Sequence, residues 1–228
     1  MRAYMESGFY VIYFVVILAV GVYLCLKSKQ KKPLILFGLA CCILGAGDAF
    51  HLVPRAIGLF NGTLENPDTN LAFWLGVGKL ITSITMTAFY LLLYFFVYAR
   101  TKESRNKAMD YFVYALVLAR VVLCALPQNE WTTNGSPLLF GILRNVPFTI
   151  LGILVIVLCY QKLRKIKNFK LLWIAIILSF GFYLPVVFFA SSYSWVGLLM
   201  LPKTICYMWI GIMALLDAKS TWIVYQEQ

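Results

Sequence analysis

The chain has 228 residues, 62% of them hydrophobic and only 13% charged; its mean hydropathy of +0.82 is far above what a water-soluble core of this size needs, which excludes a soluble domain. The net charge of +11 would suit nucleic acid, but its placement excludes that partner. Of the 20 Lys and Arg residues, all but Arg2, Arg55, Lys79, Arg120, Arg144 and Lys203 fall in three alternate loops and the C-terminal tail, so the charge is a topology signal.

Seven apolar segments can be read, near residues 8–26, 34–52, 71–98, 111–126, 138–160, 171–190 and 195–216. Each approaches the roughly 20 residues that carry a helix across a bilayer. They are continuously apolar, whereas the strands of a membrane barrel alternate, so helices are expected. The expected fold is an all-α integral membrane protein, a single domain over 1–228 built as a seven-transmembrane-helix bundle. The basic loops at 27–32, 100–107 and 162–170, with Lys219, should be cytoplasmic. That places the N-terminus outside and the C-terminus in the cytoplasm. Glu65, Asp68 and Glu130 lie in the intervening loops, in agreement.

The first apolar run is followed, not preceded, by its basic cluster, so it reads as a retained helix. Glu6, Tyr10 and Tyr13 share one face of it and either line the outer rim of a cavity or anchor the helix at the interface.

The second helix starts at Pro33, a suitable first-turn residue. Asp48, the single histidine His51, and Arg55 follow at i, i+3 and i+7, on one face. Ionisable groups at such depth cost on the order of 3 kcal/mol each, so three on one face imply a buried polar site. Gly45 and Gly47 leave room for a neighbouring helix, and Pro54 should loosen the outer turn. The longest outer loop, residues 60–70, is turn-rich, and its Asn61-Gly62-Thr63 fits a glycosylation sequon.

The third helix carries Lys79 about 12 Å below its outer end, with Thr82, Ser83, Met86 and Tyr90 continuing that face. Gly76-Val77-Gly78-Lys79 lacks the full spacing of a phosphate loop and sits inside an apolar helix, so that reading is rejected. The fourth helix places Arg120 two turns before Pro127. After the turn Thr133-Asn134-Gly135-Ser136-Pro137, the fifth carries Arg144, Asn145 and Pro147, the last an expected kink. The sixth is nearly uncharged, with Tyr183 and Pro185. In the seventh, Lys203 lies about 12 Å inside the outer end and Tyr207 one turn further.

Asp48, Arg55, Lys79, Arg120, Arg144 and Lys203 all fall in the outer half on this topology. Arg55 and Arg144 lie near enough to the interface to snorkel. Lys79, Arg120 and Lys203 are deeper and call for a shared, water-accessible cavity. The cation excess implies a missing negative charge, which an anionic ligand would supply. The candidate ligand-binding residues are Asp48, His51, Arg55, Lys79, Ser83, Arg120, Arg144, Lys203 and Tyr207.

Cys25, Cys41, Cys42, Cys124, Cys159 and Cys206 lie within helices and form no CxxC pair, so they read as packing residues. With one histidine no three-histidine zinc site can form, and neither a metal nor a cofactor is expected.

Lys203 in the seventh helix of a chain with its N-terminus outside resembles the retinal-binding lysine of rhodopsins. The third helix offers Lys79 where that resemblance would require a carboxylate counter-ion, which disfavours a protonated Schiff base. Gly47-Asp48 after a Lys32-Pro33 helix start resembles the lysoplasmalogenase family in two dipeptides, which in that family belong to different helices. Neither resemblance carries over a residue role, and no family is assigned.

The favoured function is binding or transport, receptor or transporter type, of an anionic small molecule or lipid headgroup, by a multi-pass protein of the cell membrane surrounded by membrane lipids. A receptor would need a separate cytoplasmic protein partner at the basic loops, which also suit anionic headgroups. One alternative is an intramembrane hydrolase or transferase acting on a phospholipid, with Asp48 and His51 as the catalytic acid/base pair. Another is a structural or assembly subunit in which Asp48 pairs with Lys79 or Lys203 to fix helix register.

Overall fold

A computed structural model describes residues 2–28, 31–133, 137–189 and 193–226. Lys29, the turn residues Asn134, Gly135 and Ser136, and Ala190, the expected end of the sixth span, lie outside them. Among the described residues the chain is helical without strands. Its long helices are α1 (Arg2–Lys27), α2 (Lys32–Phe60), α3 (Thr69–Thr101), α4 (Lys107–Ala125), α5 (Leu138–Leu158), α6 (Leu172–Phe189) and α7 (Met200–Gln226). Seven helices are long and apolar enough to cross a membrane.

Several helices exceed the apolar runs that announce them. α2 was expected to end near Leu52 but continues through Pro54 to Phe60. Arg55 in this stretch is paired with α1, and Pro54, which removes one donor from the helix, is accommodated as interior prolines are in membrane bundles, where neighbouring helices take up the freed backbone group. α5 likewise passes through Pro147, and a π-turn over Cys159–Leu163 extends it toward the basic end. The expected tail after Leu216 is helical to Gln226. α7 is preceded by a 3₁₀ turn over Ser194–Leu199.

Local chemistry sets the helix starts. Pro33 occupies the first turn of α2; Asp68 caps α3 by accepting from Leu71 N at 2.7 Å, and Asn106 caps α4 by accepting from Ala108 N at 2.9 Å. Each cap satisfies an amide that has no partner within its own helix.

α3 is deeply enclosed: Phe89, Tyr90, Leu93, Tyr94 and Val97 on it are fully buried. α5 shows the inverted polarity of a membrane helix. Leu143, Val146, Ile150, Ile153 and Val157 form an exposed stripe, while Arg144, Asn145, Phe148, Leu151 and Val155 face inward. In water that outward stripe would be penalised at about 25 cal/mol per Å², and in lipid it is not.

The two ends of the bundle differ. At the basic end Arg100 of α3 grips Asp217 of α7 in a bidentate pair, both contacts 2.9 Å. Beside it Lys162 pairs with Glu103, and the rings of Phe37, Phe96 and Phe169 pack with centroids 4.8, 5.2 and 6.0 Å apart. The opposite end joins the start of α1 to the end of α2, Tyr4 meeting Phe60 edge-on at 5.3 Å. That end holds the polar interior.

Candidate functional site

Close helix approach builds the site. A Cβ on Gly47 would strike Thr85 of α3, one on Gly78 would strike Phe50 O and lie 2.8 Å from His51 Cα, and one on Gly76 would strike the backbone of Trp131. The glycines of the Gly76-Val77-Gly78-Lys79 segment are therefore packing residues. They seat α3 directly against α2 and the α4–α5 connection, which carries Lys79 inward beside His51.

On α2, the three residues predicted to share a face take different partners. Asp48 is buried and accepts from Tyr13 Oη at 2.6 Å; among the described residues it forms no ion pair with Lys79 or Lys203. Arg55 donates from Nη2 to Glu6 at 3.2 Å and from Nε to Tyr10 Oη at 3.0 Å, while Tyr10 donates to Glu6 at 2.9 Å. The Glu6, Tyr10 and Tyr13 face of α1 is thus turned into the bundle as the polar partner of α2. His51 lies between these contacts, and its buried Nδ1 has no hydrogen-bond partner among the described residues.

The two deep guanidiniums are held by neutral groups. Arg120, only 2% exposed, donates from Nη1 to Arg144 O at 2.8 Å and Asn145 Oδ1 at 2.9 Å, and from Nε to Ser83 O at 3.4 Å. Its Cζ stands 4.0 Å from the centre of the Phe148 ring. Asn145 Oδ1 also accepts from Tyr183 Oη at 2.7 Å. Arg144 donates from Nη1 to Asn129 Oδ1 at 2.7 Å and lies 4.5 Å over the Trp131 ring. Such contacts stabilise a cation, by about 2 kcal/mol or more for a desolvated ring pair, without cancelling its charge. Nη2 of Arg120, and Nε and Nη2 of Arg144, have no acceptor among the described residues.

The α4–α5 connection does two jobs. Asn129 Nδ2 donates to the terminal α4 carbonyls of Leu123 and Leu126 at 2.8 and 2.9 Å, and Trp131 Nε1 donates to Cys124 O at 2.8 Å. These caps satisfy carbonyls that the helix leaves open and aim Asn129 Oδ1 and the Trp131 ring at Arg144. Asn129 and Trp131 escaped the sequence reading. The available signal was Pro127, which stops α4, followed at once by two side chains able to donate backward.

Lys203 is buried, with Nζ 4.9 Å from the Tyr183 ring centre and 5.5 Å from that of Tyr207. It has neither a hydrogen-bond acceptor nor an ion pair among the described residues, and the buried Asp48 acts on it only at longer range. Ser83 donates to Lys79 O of its own helix at 2.8 Å, the back-bond that hydroxyls make readily.

These side chains surround a cavity of about 450 Å³ whose wall includes His51, Arg55, Lys79, Ser83, Arg120, Arg144 and Lys203. The lining residues run from the end opposite the basic loops to the middle of the bundle, at Met86 and Phe148. Asp48 and Tyr207 are not in the wall: the first faces α1, and the second packs edge-on against Phe89 at 5.6 Å. Met86, Leu138, Phe148, Val186, Val187 and Met200 supply an apolar side. A second hollow of about 610 Å³, between α2 and the start of α3, has no basic residue in its wall. Comparison of the chain with family models, curated proteins and solved structures finds no match.

Proposed function

We propose that the protein binds or transports an anionic small molecule or lipid headgroup, as a receptor- or transporter-type multi-pass protein of the cell membrane. In this reading the N-terminus is outside, the C-terminus is cytoplasmic, and the cavity opens in the outer half of the bilayer. One observation carries it: the cavity wall gathers Arg55, Lys79, Arg120, Arg144 and Lys203 and, among the described residues, contains no carboxylate. Apart from Arg2, these are all the basic residues outside the basic end. Cations collected in a low-dielectric interior repel one another, so a chain that gathers them is stabilised by an anion between them.

The hydrolase reading draws less support, because Asp48 bonds to Tyr13 and not to His51. The structural-subunit reading relies on Asp48 pairing with a lysine; Asp48 instead hydrogen-bonds Tyr13, and Lys203 acts on it only at longer range. The basic loops are left to contact anionic headgroups or a cytoplasmic protein.

Mass spectrometry of molecules that copurify with the full chain tests the proposal. An anionic ligand should be retained by the wild type and lost in Lys203→Ala, since removing one partner of a buried charge pair costs about 3–5 kcal/mol. Incubation should leave the ligand chemically unchanged. Conversion that vanishes in His51→Gln, a loss of about 10²–10⁴ in rate for an acid/base group, would overturn binding in favour of catalysis.

A further inference from the structure

We infer that the anion taken by this cavity is a phosphoryl group with two negative charges, carried on an apolar chain; the inference rests on the anion-binding reading above. Three cations decide the charge. Arg120, Arg144 and Lys203 form no ion pair with a carboxylate among the described residues, while Arg55 has Glu6, and the buried Asp48 acts on Lys203 only at longer range. Even with Asp48 set against Lys203, a singly charged ligand would leave one positive charge uncompensated inside the bundle. A phosphate monoester brings about −1.5 to −2 at neutral pH.

Donor geometry agrees. Arg120 is fixed by its bonds to Arg144 O and Asn145 and by the Phe148 ring, and Arg144 by Asn129 and Trp131. Neither can swing to chelate a flat carboxylate alone, yet each retains unused N–H groups. Lys203 adds a third donor from α7. Three donors from separate helices match the three terminal oxygens of a phosphoryl group better than the two of a carboxylate.

The remaining wall specifies the chain. α6 contributes Val186 and Val187, α5 contributes Leu138, and α7 contributes Met200. Leu138, Phe188 and Phe189 beside them are exposed on the lipid-facing surface, so the apolar side of the cavity is continuous with that surface. The volume of about 450 Å³ falls in the range that encloses a drug-sized ligand, about 300–1,000 Å³, and exceeds the need of a bare phosphate ion. A hydrocarbon chain would cover the valines while the headgroup meets the cations.

The test measures equilibrium binding to the full chain in phosphatidylcholine nanodiscs with four probes: dodecyl phosphate, dodecyl sulfonate, dodecanol and inorganic phosphate. Sulfonate keeps the three oxygens and the chain but has one charge. Dodecyl phosphate should bind at least about tenfold more tightly than both sulfonate and inorganic phosphate, a difference of about 1.4 kcal/mol. Lys203→Gln, at a residue whose Nζ makes no hydrogen bond, should reduce the preference over sulfonate to less than about threefold. Equal binding of dodecyl phosphate and dodecyl sulfonate would overturn the double charge and leave anion binding standing. Inorganic phosphate binding as tightly as dodecyl phosphate would overturn the apolar chain. Dodecanol binding as tightly as the charged amphiphiles would overturn the anion-binding reading itself. The wild-type panel decides each of these even if the variant fails to fold.

Discussion

Arg120 donates to the main-chain carbonyl of Arg144 at 2.8 Å, so the two guanidiniums of the cavity are fixed relative to each other through backbone and not by an intervening acid. Like charges are thereby held at a set spacing with no acid between them among the described residues. Electrostatic preorganisation of this kind is established during folding and needs no rearrangement on binding.

Replacing Arg120 should therefore damage the fold as well as the site. Arg120→Met removes three hydrogen bonds and a ring contact and should destabilise the protein by about 3 kcal/mol. Tyr183→Phe should cost only about 1 kcal/mol, since Asn145 Oδ1 keeps its bond from Arg120. Chemical denaturation in mixed micelles reads both; equal losses would show that Arg120 has no special place.

Glycine substitutions should separate seam from surface. Gly78→Ala drives a Cβ into the backbone of α2 at Phe50 and His51, where no side chain can turn away, and should cost about 2–3 kcal/mol. Gly181→Ala meets nothing within 4 Å and should stabilise α6 by about 0.5–1 kcal/mol. Thermal melts of the two variants in one detergent give the comparison.

These cases mark how far the sequence was legible. Continuous apolar runs reveal helices because hydropathy and length alone decide spanning, but they do not reveal ends. α2 outran its expected limit by eight residues, Leu52 to Phe60, since His51 and Arg55 depress hydropathy while lying inside the bundle, Arg55 paired with Glu6 and His51 in the cavity wall. Helical periodicity placed Asp48, His51 and Arg55 on one side of α2, but a face about 100° wide touches two neighbours. Which neighbour each residue meets depends on helix order in space, and so the Tyr13 bond to Asp48 and the Glu6 pair with Arg55 were not foreseen. Asn129 and Trp131 were missed because polar loop residues are common, and their value lies in a reach back to α4 and across to α5.

The clamp at the basic end should be worth more than a surface pair. Asp217 is only 5% exposed beside Arg100 and accepts from it twice. Asp217→Asn should cost about 2 kcal/mol. A double-mutant cycle with Arg100→Gln should return a coupling of at least about 1 kcal/mol, and additive losses would show that the two residues act separately.

Orientation is checked by labelling. Thr69 and Lys165 are exposed at opposite ends of the bundle. A membrane-impermeant maleimide applied to intact cells should modify Thr69→Cys and leave Lys165→Cys unmodified until the cells are opened. The opposite pattern would place the cavity in the cytoplasmic half.

The seam between α2 and α3 also determines which parts can move. With glycine at 47, 76 and 78 there is no side-chain cushion between α2, α3 and the Trp131 turn, so these travel as one rigid block, carrying His51, Arg55 and Lys79 with them. Arg144 is tethered to the same block through Asn129 and Trp131. α6 is attached differently: Phe180 rests on Gly152 of α5, and beyond that fulcrum α6 continues through Pro185 with small valines toward the cavity. On the transport reading proposed above, displacement that admits a ligand would fall to the cavity end of α6, swinging about Phe180 while the cationic floor stays still. A crosslink across the α2–α3 seam would be mechanically silent, and one between the outer turns of α5 and α6 would lock the door.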